Sequence, residues 1–225
     1  MLKKAKNNPN HKNELTRERI LDEAETLFAN NGYHAVSVRE ITTAAQCNPA
    51  AANYHFGNKR GLYLEVFRSR WVPRAKRLHQ CFREYLAGDF PRSPVTVVQT
   101  LARAYLSGPL SDEECRRHHQ LMSRELGRPS EAFELVVEQV MRPFSRELVN
   151  LLRPFMPEGL GEERLVLNTL SVLAIVLYFN LAPVAVTRIT GCEYDRAFKD
   201  RLVEHIARFS VEGLHRDKKE ALQGL

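Results

Sequence analysis

Residues 37–63 read SVREITTAAQCNPAAANYHFGNKRGLY, and this stretch decides the fold. Ser37 followed three residues later by Glu40 forms a capping box, in which the hydroxyl accepts from the Glu40 amide while the carboxylate reaches back to the Ser37 amide. Val38, Ile41 and Ala45 then share one face of a short helix. Asn48 is a good cap and Pro49 suits a first helical position, so a second helix is predicted to start at Pro49. Its small residues Ala50, Ala51 and Ala52 would let the backbone approach a base edge or a thymine methyl. Asn53, Tyr54 and His55 add hydrogen-bonding groups, and Phe56 is expected to plug the space behind them. Gly57-Asn58 ends this helix and caps the next, placing Lys59 beside exposed amides that suit a phosphate. Two short helices across a tight turn, followed by a third, form the layout of a helix-turn-helix that reads the major groove.

Upstream, Ile20, Leu21, Ala24, Leu27 and Phe28 recur at helical spacing within a helix predicted over 16–31, which Gly32 stops. Downstream, Leu62, Val66 and Phe67 lead toward Trp71, where Pro73 is expected to kink a connecting helix.

The 225-residue chain carries a formal net charge of +6, but the charge is unevenly placed. Residues 1–80 hold 14 Lys plus Arg against 7 Asp plus Glu, whereas residues 81–225 hold 19 against 20. A basic N-terminal third on a nearly neutral remainder is the footprint of a phosphate-binding module joined to another kind of domain. Cys47, Cys81, Cys115 and Cys192 form no Cys-x-x-Cys pair, so neither a zinc ribbon nor a disulfide framework is indicated. The polar start, MLKKAKNNPNHKN, lacks the apolar centre of a signal peptide, and a cytoplasmic location is expected.

Residues 16–67 resemble the DNA-binding domain of the TetR family of bacterial transcriptional regulators. The likeness rests on the 16–31 helix, Gly32-Tyr33, Ser37-Val38-Arg39-Glu40-Ile41, Asn53-Tyr54-His55-Phe56, and Asn58-Lys59 followed by Leu62-Tyr63. One departure stands at the turn, where many members carry glycine and this chain has Gln46. A positive φ there would cost up to about 1–2 kcal/mol.

Beyond residue 80 the pattern stays helical, broken at 88–94, 108–109, 127–129, 154–161 and Gly191. Ser111 to Glu114 offers a second capping box, Ser130 caps a further helix, and Pro143 and Pro154 are expected to bend or end it. The apolar run 165–186, LVLNTLSVLAIVLYFNLAPVAV, is long enough to span a bilayer, yet Asn168, Thr169, Ser171, Asn180 and Pro183 interrupt it. It reads better as a core and dimer-interface helix, with no membrane partner expected. A final helix over 194–214 carries Phe198, Leu202, Ile206 and Phe209. This pair resembles the helices through which TetR regulators dimerise, and Met122-Ser123-Arg124-Glu125-Leu126 with Val140-Met141-Arg142-Pro143 resembles a CecR-type subset of the family.

The expected fold is therefore all-α: an N-terminal three-helix helix-turn-helix domain plus a larger C-terminal helical domain for ligand binding and dimerisation. The predicted division is a flexible basic arm over 1–15, the DNA-binding domain over 16–62, a connecting helix over 63–80, the effector and dimerisation domain over 81–217, and a flexible tail over 218–225. The resemblance implies a homodimer on a palindromic double-stranded operator, released by a small-molecule effector. Ser37, Tyr54, His55 and Lys59 are candidates for phosphate contacts, and Pro49, Ala50, Ala51 and Asn53 for base contacts. Candidate ligand-lining residues are His118, His119, Met122, Arg124, Phe144, Tyr178 and Asn180. No cofactor is expected. Glu114 with His118, and Cys115 with His119, each supply two helical neighbours for a metal but no third or fourth ligand. A catalytic reading finds no repeated Glu-x-x-His, phosphate loop or Gly-x-Ser-x-Gly elbow, so an enzyme is not expected. A DNA-binding protein without an effector stays open as the alternative.

Overall fold

The computed structural model describes residues 9–88 and 91–223, and every regular element among them is helical. The α-helices are α1 (Pro9–Asn31), α2 (Val38–Ala44), α3 (Pro49–Phe56), α4 (Lys59–Val66), α5 (Val72–Leu86), α6 (Pro94–Leu106), α7 (Asp112–Gly127), α8 (Glu131–Val136), α9 (Arg142–Leu152), α10 (Glu162–Leu181), α11 (Pro183–Thr190) and α12 (Arg196–Gln223). The all-α class expected from the sequence is the class found.

The helices form two compact units. One takes in the chain up to Arg74 together with Ser111–Val137, and the other Ala75–Leu110 with 138–225. This departs from the predicted boundaries, because α7 and α8 cluster with the helix-turn-helix and not with the later helices. The reason is a set of bonds within the first unit. The Trp71 indole donates to the His118 carbonyl at 3.0 Å, and the Tyr63 hydroxyl donates to the buried Glu125 carboxylate at 2.6 Å. Arg124 caps the C-terminal end of α1 by donating to the carbonyls of Ala29 and Asn30. Gly32 makes that approach possible, since its φ is +84° and a Cβ would meet the Arg124 guanidinium at 2.8 Å. Ile20, Leu21, Phe28, Ile41, Leu62, Val66 and Phe67 fill the core of this unit.

Two further expectations shift. Residues 9–15, assigned to a flexible arm, form the first turns of α1, where Pro9 suits the opening position and the Thr16 hydroxyl donates back to the Lys12 carbonyl. Residues 1–8 lie outside the described residues. Residues 218–223, assigned to a flexible tail, continue α12 through a run of good helix formers, and 224–225 lie outside.

Pro73 and Pro143 do not break their helices. Each follows a π-helical turn, at Phe67–Trp71 and Val137–Met141, and in the first the Val72 amide reaches back to the Phe67 carbonyl. The widened turn absorbs the carbonyl that a proline cannot satisfy and the room its ring needs.

In the second unit α6 packs along α12 and α10, and α9 packs on α10. Phe82, Val98, Leu101, Leu148, Leu152, Leu165, Val176 and Ile206 form its core. The apolar run of 165–186 is divided at Ala182, where α10 ends and Pro183 opens α11. Along α10, Leu165, Thr169, Val172 and Val176 are buried while Leu167, Leu170, Tyr178 and Leu181 are exposed.

Candidate nucleic-acid interface

The capping box forms as its spacing requires. Ser37 Oγ accepts from the Glu40 amide at 3.2 Å, and the Ser37 amide donates to the Glu40 carboxylate at 2.6 Å. These bonds hold the Glu40 carboxyl below its ordinary range. Ser37 is thus committed to its cap while remaining exposed at the start of α2.

The turn after α2 closes through two bonds, Gln46 amide to Thr43 carbonyl at 3.1 Å and Cys47 amide to Thr42 carbonyl at 2.9 Å. This pairing requires a left-handed residue between them, and Gln46 adopts φ of 52°. The departure from glycine is therefore met with a strained residue and not with a different turn.

Asn48 then caps α3, its side chain accepting from the Ala50 amide at 2.9 Å, with Pro49 in the first helical position. Pro49, Ala50, Asn53 and Tyr54 face outward, and Tyr54 is 77% exposed. Ala51 is half-buried. Ala52 is fully turned in, so the run of three alanines does not present one continuous surface. His55 lies between the Tyr54 and Phe56 rings. Burial, and secondarily Arg17, lower its pKa, which favours the neutral imidazole. Phe56 is half-buried with the Arg17 guanidinium over its ring.

Asn58 caps α4 by accepting from the Gly61 amide at 2.9 Å, which fixes Lys59 in the first turn. The Lys59 ammonium sits 4.5 Å from the centre of the Tyr33 ring, a cation–π seat that orders a long flexible side chain. Tyr33 was not among the sequence-predicted site residues, and its place directly after the Gly32 stop was the signal that pointed to it. Arg39, also exposed on α2, has no ion-pair partner among the described residues.

The seven predicted ligand residues do not fall in one unit. His118, His119, Met122 and Arg124 belong with the helix-turn-helix, where His118 stacks on Trp71 at 4.2 Å and Arg124 is spent on the end of α1. Phe144, Tyr178 and Asn180 belong to the second unit. There the Asn180 amide donates to the Tyr105 carbonyl at 2.6 Å, and Phe144 stacks in parallel on His79 at 3.6 Å. His79 Nε2 lies 3.1 Å from the Tyr105 hydroxyl. Burial, with a smaller contribution from Arg83, pushes the His79 pKa down to about 3. His79 and Tyr105 thus join Phe144 and Asn180 as a polar knot that the sequence did not reveal, whereas Tyr178 is 51% exposed. Glu114 accepts from the Ser111 amide and lies 3.5 Å from Arg74. Among the described residues no three His, Cys, Asp or Glu side chains are grouped to hold a metal ion.

Known proteins place this geometry. Residues 20–66 match the profile of bacterial regulatory proteins of the tetR family, and residues 95–214 match the C-terminal domain of the HTH-type transcriptional dual regulator CecR. The chain is 26% identical over 189 residues to the HTH-type transcriptional dual regulator CecR of Shigella flexneri, spanning 80% of this chain and 82% of that one. Among solved structures, the TetR family regulator PfmR of Thermus thermophilus aligns with a TM-score of 0.59 at 20% identity, over 87% of this chain and 98% of that one. The fatty acid degradation regulator FadR of Bacillus halodurans aligns with a TM-score of 0.59 at 17% identity, over 93% and 98%. These relatives are transcriptional regulators, not enzymes.

Proposed function

The chain belongs to the TetR family of bacterial transcriptional regulators, with a C-terminal domain of the CecR type, and on that premise we propose that it is a ligand-responsive repressor acting as a homodimer on a palindromic operator. The observation that carries the reading is the outward face of α3, where Pro49, Ala50, Asn53 and Tyr54 stand exposed beside an ordered Lys59. In this reading Asn53 reads a base edge with Pro49, Ala50 and Ala51 close by, and Lys59, Tyr54, His55 and Ser37 set the register on phosphates.

The exposed stripe of Leu167, Leu170, Tyr178 and Leu181 on α10, with Phe209 exposed on α12, supports a second copy as the partner. Two such copies would set recognition helices about 34–36 Å apart, or somewhat more, on successive turns of DNA. An effector acting through the second unit would change operator affinity by a coupling of about 1–3 kcal/mol. The cytoplasm is the compartment in which a DNA-binding regulator of this family works.

The test is binding to a genomic fragment library, including DNA upstream of the protein's own gene, at two salt concentrations. Recovery of a palindromic site that survives the higher salt supports the reading, and uniform loss of binding with salt refutes it. On that site Lys59→Ala should weaken all DNA binding and reduce the salt slope by about 1, whereas Asn53→Ala should mainly relax sequence preference. An unchanged salt slope for Lys59→Ala would remove its phosphate role.

A further inference from the structure

Within the first unit a cleft of about 580 Å³ opens between the turn after α1, the start of α4, and the segment from the end of α7 to the start of α8. That volume lies in the range of small-molecule sites. Its walls carry the rings of Tyr33, His34 and Tyr63, and the Tyr33 and Tyr63 centroids are 5.0 Å apart.

The polar groups around it divide into those already used and those left over. Glu125 is saturated by the Tyr63 hydroxyl and by the Ser130 amide and hydroxyl, and Glu131 is paired with Arg60. Arg124 is held on the end of α1. What remains without a hydrogen-bond partner among the described residues is the Arg128 guanidinium, the Asn31 carboxamide, the Tyr33 and Ser123 hydroxyls and the His34 ring. The uncommitted set is rich in donors, and its one unneutralised charge is positive. Aromatic walls, with the Tyr33 and Tyr63 rings tilted at 60° to each other, and an exposed, unpaired guanidinium in the lining suit a planar, acceptor-bearing anion.

We propose that this cleft is a second small-molecule site, built into the DNA-binding unit itself, for a small aromatic carboxylate. Arg128 takes the carboxylate, and the ring system lies against Tyr33 and Tyr63. Lys59 does not itself line the cleft, but its ammonium is seated on the Tyr33 ring, so an occupant that shifts that ring reorients Lys59 and weakens DNA binding without acting through the second unit. The effect on DNA rests on the phosphate role of Lys59, whereas binding to the cleft does not, so the two are measured separately.

The probe is 2-naphthoate, titrated into the full chain labelled with 3-fluorotyrosine and followed by fluorine NMR. The expected result is saturable movement of the Tyr33 and Tyr63 resonances, with those of Tyr105 and Tyr178 unmoved, at a dissociation constant of about 1 mM or tighter. Arg128→Ala should weaken binding about fivefold or more, as should replacing the carboxylate by the neutral 2-naphthamide. Ser123→Trp, at an exposed position on the cleft wall, should block it. Absence of saturable shifts at Tyr33 and Tyr63 overturns the site, and this readout needs no variant to fold. Binding that neither substitution alters places the probe elsewhere and overturns it equally. If the cleft fills while DNA affinity stays unchanged, the coupling to Lys59 is refuted.

Discussion

Glu25 in the DNA-binding unit and Leu148 in the second unit are equally buried, at 1% exposure, yet they hold their surroundings by opposite means. Glu25 pairs with Arg74 and with Arg117, and those guanidiniums lie close to Glu114 and Glu113. Around it, Arg70 bridges Glu18 and Asp22, and Arg17 reaches Glu65. Leu148 belongs to a large apolar cluster; the buried polar contacts of its unit, at His79, Tyr105 and Asn180, carry no ion pair among the described residues, and the ion pairs described there, such as Arg83 with Glu147 and Arg142 with Glu138, lie toward solvent. Directional bonds fix positions to tenths of an ångström, while aliphatic packing conserves volume and tolerates rearrangement. A unit that presents α3 in one geometry gains from the first, and the second unit, if it takes the proposed effector, gains from the second.

The largest test compares two shape-conserving changes. Glu25→Gln should cost about 3 kcal/mol, because it leaves buried guanidiniums short of a partner, whereas Leu148→Met should cost less than about 1.5 kcal/mol. Urea unfolding read separately for each unit measures both, and a larger loss for Leu148→Met would reverse the contrast.

Acid should separate the units next. His79 has its folded pKa depressed to about 3 from an ordinary 6.5, so the unfolded chain binds the proton first. Its stability contribution is complete above pH 6.5 and falls as the pH drops toward 3, a loss of about 2 kcal/mol between pH 7 and pH 5. The depressed carboxyls of the first unit, Glu18 through Arg70, Glu40 through its Ser37 cap and Glu113 through Arg116, lose their contribution only below their ordinary 4.5. His55 of the first unit is lowered in the same direction but is only half-buried, so the second unit should loosen first on acidification, and His79→Phe should remove most of that early loss. Thermal melting from pH 7 to pH 5 checks the order.

The smallest expected effect is a gain. Gln46→Gly should raise the stability of the first unit by about 1 kcal/mol by relieving the left-handed backbone at the turn, measured as a higher melting temperature. A loss there would mean that the Gln46 side chain contributes more than its strain costs.

What was legible in the sequence was local. The caps at Ser37, Asn48 and Asn58 each join residues two or three positions apart, and all three form as read, while the turn geometry that the sequence left open at Gln46 has a positive φ. What was not legible joins residues distant in the chain. The allegiance of α7 and α8 to the DNA-binding unit depends on Trp71 meeting His118, Tyr63 meeting Glu125 and Arg124 meeting the end of α1. Residue type within an apparently continuous helical stretch does not reveal which unit a side chain joins, which is why the ligand candidates scatter over two units. Ala52 looked equivalent to Ala50 because composition carries no sense of face, whereas helical phase turns it into the core.

The π turns before Pro73 and Pro143 bear on how this chain can change in length. Each widened turn carries one residue more than an α-helix needs to keep the faces on either side in phase, and each proline sits where that surplus leaves room for its ring. Losing the surplus residue alone would set the ring against a carbonyl one turn back, at a cost of about 3 kcal/mol. Losing the proline alone would leave a widened turn with nothing to favour it over a regular helix, and regularising it would rotate every following side chain by about 100°. At both places, deletion and substitution are tolerated only as a pair, so a relative that lacks the proline should also be one residue shorter at that point.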